Sequence, residues 1–104
     1  MDQQIEVRDV PERHRYEAVS GTTVAGHIEY GAEGAARTFR HTEVASEFEG
    51  KGVGGALARG ALDDLRARGL AVRPVCPFVA GWIRRHPDYL DIVAEDWRDR
   101  VTES

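Results

Sequence analysis

Glu49-Gly50-Lys51-Gly52-Val53-Gly54-Gly55 places four glycines within six residues, directly before a segment of helical periodicity. Val53, Leu57, Ala61 and Leu65 recur every four residues, and Ala58 and Leu62 widen the apolar stripe. A glycine-rich turn at a helix start leaves main-chain N–H groups without partners, and the helix dipole adds partial positive charge there. That combination suits a phosphate group. The stretch therefore marks a candidate anion site and divides the chain into halves of different period.

The half before it reads as strands. Ile5 to Val7 alternates with charged residues until Pro11 interrupts, and His14 to Val19 is a second short strand ended by Ser20-Gly21-Thr22. From Thr23 to Tyr30 the alternation assigns Val24, Gly26, Ile28 and Tyr30 to one face and Ala25, His27 and Glu29 to the other. Gly31-Ala32-Glu33-Gly34 is the expected turn, and Ala35 to Ala45 a longer strand with Phe39 and Val44 as apolar markers. Short connections of this kind predict an antiparallel meander.

The half after it begins with the helix Ala56 to Arg68, stopped by Gly69. Arg59–Asp63 and Asp64–Arg68 form opposite-charge pairs on its solvent side. Leu70 to Val75 then completes a strand–helix–strand crossover and is predicted to run parallel to the strand before the loop. Pro74 and Pro77 flank Cys76 and interrupt sheet pairing. Pro77 suits the first position of a helix running to His86, and Pro87 that of a short helix Asp88 to Val93. The charged tail Arg98 to Ser104 is expected to fray. The fold class is α/β (α+β): a mixed, mostly antiparallel sheet with one crossover, in one domain over residues 1–104.

Composition narrows the function. A hydrophobic share of 41% and a charged share of 31% fit a globular protein. A net charge of −4 argues against nucleic acid, which demands a basic stripe, and Arg84-Arg85-His86 is too short to supply one. No apolar run reaches membrane-spanning length. Met1-Asp2-Gln3-Gln4 lacks the order of a signal peptide. One cysteine permits no internal disulfide. These features point to a cytoplasmic protein without a membrane partner; oligomeric state is not legible. Four scattered histidines and one cysteine show no metal-ligand spacing.

Three phosphate chemistries compete for the loop. A nucleotide-triphosphate loop needs Gly-Lys-Ser/Thr at its end, whereas Lys51 is followed by Gly52. The dinucleotide pattern matches literally at Gly50, Gly52 and Gly55, but Pro74-Val75-Cys76 stands where its ribose-binding acid belongs. The third is the coenzyme A pyrophosphate loop of the GNAT N-acetyltransferases, Gln/Arg-x-x-Gly-x-Gly/Ala, which Glu49 to Gly54 resembles with Glu49 as the departure. His41-Thr42-Glu43-Val44, Pro74-Val75-Cys76-Pro77-Phe78-Val79 and Arg85-His86-Pro87 extend the resemblance to a minimal, single-domain branch of that family over roughly residues 5 to 95.

The resemblance implies an acetyl-CoA-dependent transfer to an amine acceptor. It implies a pyrophosphate held by Gly50, Lys51, Gly52, Val53, Gly54 and Gly55, and a pantetheine arm along Val44 and Ala45 between two splayed strands. It also sets Trp82 and Arg85 along coenzyme A; a tryptophan four residues after Phe78 is more often a core residue, and an arginine near a helix end is often simply solvated. Cys76, before a helix start that favours its thiolate, is the candidate catalytic group, either accepting the acetyl group or carrying a proton. A small buried hydrophobe is the alternative for a free cysteine. His41, on the neighbouring strand, is the candidate helper. A non-catalytic acyl-CoA-binding module remains compatible with the same residues.

Overall fold

The structure, a computed structural model, describes residues 4–102. Strands β1 (Glu6–Val10), β2 (Arg15–Ser20), β3 (Thr23–Glu33) and β4 (Ala36–Val44) form an antiparallel meander. Helix α1 (Val53–Ala67) crosses over, and β5 (Ala71–Pro74) returns parallel to β4, giving the order β1-β2-β3-β4-β5. Helix α2 (Pro77–Arg85) follows, then 3-10 turns over Pro87–Ile92 and Glu95–Trp97, then α3 (Arg98–Thr102). The meander, the parallel return and the helix from Pro77 agree with the sequence reading. The single crossover is not the repeated strand–helix alternation of a dinucleotide fold.

The apolar stripe of α1 (Val53, Leu57, Ala58, Ala61, Leu62, Leu65) is buried against Tyr16, Ile28, Tyr30, Phe39 and Val72 of the sheet. Gly60 brings α1 close to β1: a Cβ there would lie 2.7 Å from Val7 Cβ. At the helix end, Gly69 takes φ +70° and the Leu70 amide donates to the Leu65 carbonyl at 2.9 Å, closing a Schellman turn. Beneath α1, Tyr16 donates to Asp64 at 2.6 Å and Arg68 donates to both Asp64 (2.8 Å) and Asp9 (2.9 Å). Tyr30 completes the network with a short bond to Asp9.

Two β-bulges change which residues face the core. Between the pairs Ala18↔Gly26 and Val19↔Val24, β3 carries Ala25 as an extra residue. Ala25 is consequently buried and Val24 exposed, the reverse of strict alternation. Between Glu29↔His41 and Tyr30↔Phe39, β4 carries Arg40 as its extra residue. Phe39 faces the core, Arg40 and His41 face outward, and Thr42 returns to the core side opposite Ile28.

Other expectations need correction. The predicted turn at Gly31 to Gly34 begins later, because β3 continues to Glu33 and only Gly34 takes a left-handed φ. Helix α1 starts at Val53, so Gly54 and Gly55 belong to its first turn. The Asp64–Arg68 pair forms, but Asp63 instead accepts the Tyr89 hydroxyl at 2.6 Å and Arg59 lies over the Trp82 ring. The segment after Pro87 is 3-10 rather than a regular helix. The tail is anchored: Val101 of α3 is buried, and Arg84 holds its carbonyl at 3.1 Å. Glu103 and Ser104 lie outside the described residues. No described helix is long and apolar enough to cross a membrane.

Candidate functional site

The last β4–β5 pair is Phe39↔Pro74, and the Cys76 amide still reaches the Phe39 carbonyl at 2.8 Å. The chain then turns into α2 at Pro77, while β4 runs on to Val44 without a neighbour on that side. Proline has no N–H to extend the ladder, so strand pairing stops where Pro74 and Pro77 stand. The result is a wedge between β4 and the start of α2. The Ala45 amide donates to Ala25 at 2.8 Å, toward β3. By two-residue alternation Thr42 and Val44 direct their main-chain groups the other way, into the wedge.

At the wide end of the wedge lies the glycine loop. Gly50 and Gly52 take φ +80° and +79°, and neither has an atom within 4 Å of a would-be Cβ. Glycine is required there by backbone conformation rather than by space. Gly52 is the N-cap of α1 and supplies no side-chain cap, and no acidic residue occupies the first turn. The amides of Val53, Gly54 and Gly55 are the orphan donors of that turn. Phe78 leans on Gly54, where a Cβ would meet its ring at 2.8 Å. These open amides, with no side-chain cap and no carboxylate in the first turn, suit an anion such as a diphosphate.

Cys76 sits at the narrow end as the N-cap of α2, buried, with its sulfur 3.2 Å from the Thr42 hydroxyl. Val75 and Phe78, both partly exposed apolar residues, flank it. On the other face of the sheet His27, Glu29, His41 and Glu43 stand together. His27 Nε2 lies 3.4 Å from Glu29 and 3.8 Å from Glu43, and His41 Nε2 lies 3.7 Å from Glu43. A depression of 280 Å³ beside them is lined by Arg15, Val24, Gly26, His27, Glu43 and Ala45. Among the described residues, no cluster of metal-ligating side chains has the geometry to hold an ion.

The predicted site residues divide accordingly. Gly50, Gly52, Gly54 and Gly55 line one continuous main-chain surface, with the exposed Lys51 between them. Val53 joins it by its amide alone, because its side chain is buried in the core. Val44 borders the wedge, whereas the Ala45 amide is already spent on β3. His41 is a correction: it is on the strand next to Cys76 but on the opposite sheet face, because the Arg40 bulge turns it outward. Trp82 is another. His86 stacks on its ring at 3.9 Å, Arg59 lies 5.2 Å from the ring centroid, and the residue is only 4% exposed, leaving no face for a cofactor. Its Nε1 instead underlies α1, 3.6 Å from a would-be Gly55 Cβ. Arg85 is exposed and makes no ion pair among the described residues. The sequence pattern does not mark Thr42 and Phe78, which stand against Cys76 and Gly54. The odd spacing of the apolar markers Phe39 and Val44 was the available signal for Thr42, since residues five apart share a face only across a bulge.

A strand wedge and a bare-amide loop thus lie side by side, with a thiol at their junction. Residues 15–92 match the family model described as GCN5-related N-acetyl-transferase. No curated protein sequence matches. The fold is similar to the solution NMR structure of a GCN5-like protein from Staphylococcus aureus, with a TM-score of 0.65 and 20% identity over 86% of this chain and 87% of that one. The protein is thus an acyltransferase by class. More narrowly, the chain belongs to the GCN5-related N-acetyltransferase family.

Proposed function

We propose that this protein transfers the acetyl group of acetyl-CoA to an amine, with Gly50 to Gly55 binding the diphosphate and the β4 edge binding the pantetheine arm. The observation that carries the reading is the adjacency of the wedge to the glycine loop: a diphosphate at the loop directs its attached chain along Val44 and Thr42 toward Cys76. Bound acetyl-CoA would supply an activated acyl carbon at the narrow end. Cys76 is then the group nearest the thioester and either takes the acetyl group or relays a proton. Arg85, exposed and without an ion pair among the described residues, is available to a phosphate.

The acceptor side follows from the uncovered sheet face. Arg8, Glu29, His41 and Glu43 project from it, and none belongs to the apolar core. Glu29 and Glu43 suit a cationic amine, and His41 offers a nitrogen to the proton that the amine sheds as its N–C bond forms and the C–S bond breaks. His41 thus has a role toward the acceptor rather than toward Cys76. A free thiol and this co-substrate support a cytoplasmic location for the protein, read as one domain over residues 1–104.

Cys76→Ala tests the reading. It is expected to keep the thermal stabilisation that coenzyme A gives and to lose acetyl transfer, and wild type incubated with acetyl-CoA is expected to gain one acetyl group at Cys76. Retained stabilisation with no transfer by wild type to any amine would favour a non-catalytic acyl-CoA-binding module. No stabilisation by coenzyme A would overturn both.

A further inference from the structure

We propose that Thr42 is the positioning residue for Cys76: its hydroxyl holds the sulfur while its main chain lines the wedge. The inference rests on the acetyl-transfer reading above. Three features place Thr42 in that double position. The Arg40 bulge turns its side chain to the core side, opposite Ile28. Its hydroxyl lies 3.2 Å from the Cys76 sulfur. The alternation set by the Ala45–Ala25 bond directs its amide and carbonyl into the gap left by β5.

The chemistry follows from what a hydroxyl can do for a buried sulfur. Cys76 is only 4% exposed, so a negative sulfur there has little water to stabilise it. A thiolate carries no proton, so across this contact Thr42 donates to it. No other side chain bonds to the sulfur among the described residues. The charged groups of the surrounding elements are turned elsewhere. His41 and Glu43 of β4 lie on the outer face, Arg73 of β5 pairs with Glu33 and Asp96, and Arg84 of α2 bonds the Val101 carbonyl. Arg85, Glu49 and Lys51 are exposed.

In the step so assisted, the Cys76 sulfur bonds to the acetyl carbon and the thioester C–S bond breaks. The proton released by Cys76 ends on the departing coenzyme sulfur. The exchange is thiol for thioester, without oxidant or reductant. Thr42 takes no part in the bonds made and broken. It fixes the sulfur beside the strand edge along which the arm lies, so nucleophile and arm are positioned by one residue.

The test uses the single cysteine as its own reporter. Iodoacetamide alkylation of Cys76 is followed by mass spectrometry across pH for wild type, Thr42→Ser and Thr42→Val. Thr42→Val is expected to alkylate about tenfold more slowly at neutral pH, with its pH midpoint moved upward, as loss of a hydrogen bond to a charged group requires. Thr42→Ser, which keeps the hydroxyl, is expected to stay within about twofold of wild type. A Thr42→Val rate equal to or above wild type overturns the inference, and so does a Thr42→Ser rate as slow as that of valine. Thermal stabilisation by coenzyme A is measured on the same three proteins. If it is absent from all, the acetyl-transfer reading falls, while the alkylation profiles still decide whether Thr42 governs the sulfur.

Discussion

Gly52 shows how one residue ties loop conformation to stability and, on the proposed reading, to coenzyme binding. Its φ of +79° lies where an L side chain is strained, although the space around it is open. Gly52→Ala is expected to cost about 1–2 kcal/mol in urea denaturation and to reduce stabilisation by coenzyme A as the loop relaxes. An unchanged denaturation midpoint would count against the strained backbone. Single residues were also where sequence reasoning was least reliable. The left-handed turns at Gly50 and Gly52 and the place of Cys76 before α2 were legible because they depend on main-chain geometry and order in the chain. His41 and Trp82 were not, because strand neighbourhood says nothing of sidedness, and an indole suits a core as readily as a ligand. Thr42 went unassigned for the same reason as His41: one extra residue, Arg40, exchanged their faces.

At the scale of elements, the order of strands and helices was readable from changes in period and from proline and glycine punctuation. Two things escaped that reading. Bulges are set by cross-strand fit rather than by local pattern, so Ala25 and Val24 changed places. The last helix has only five residues and one buried side chain, Val101, too little periodicity to distinguish it from a frayed tail. The contact of α1 with β1 gives a sharper test. Gly60 faces the β-branched Val7, which cannot swing aside within its strand. Gly60→Ala is expected to destabilise by about 1–3 kcal/mol through overpacking, despite the better helix propensity of alanine. A gain in the urea midpoint would show that β1 yields to the helix.

For the whole molecule, buried polar groups of opposite behaviour, two tyrosines and one glutamate, bound the pH range of stability. Burial and then the hydrogen bond to Asp9 push the Tyr30 hydroxyl up to about 12, and Tyr16 is raised in the same direction by burial and Asp64. Their folded-state values exceed the unfolded one of about 10, so their contribution is whole below pH ~10 and is lost as pH rises beyond it. Burial alone would raise the Glu17 carboxyl, but the hydrogen bond and charge of Arg15, with Arg13 behind them, hold it below its ordinary value. Its contribution is present above pH ~4.3 and is lost as pH falls. Urea midpoints against pH are expected to form a plateau with an acid and an alkaline shoulder. Tyr30→Phe should reduce the alkaline one to the part due to Tyr16, and Glu17→Gln should reduce the acid one. A Glu17→Gln protein that keeps its full acid shoulder would assign that shoulder to other carboxylates.

The two margins of the sheet are unlike. Beside β5, Val93 forms a parallel bridge with Val72 and the Ala94 amide donates to the Val72 carbonyl at 2.9 Å. That rim is therefore occupied from within the chain. On the far side β1 ends the sheet with Glu6 and Arg8 paired to each other at 2.6 Å on its outward surface. Should two molecules ever merge their sheets into one continuous ribbon by meeting β1 to β1, both wedges would remain open at the distant ends of that ribbon.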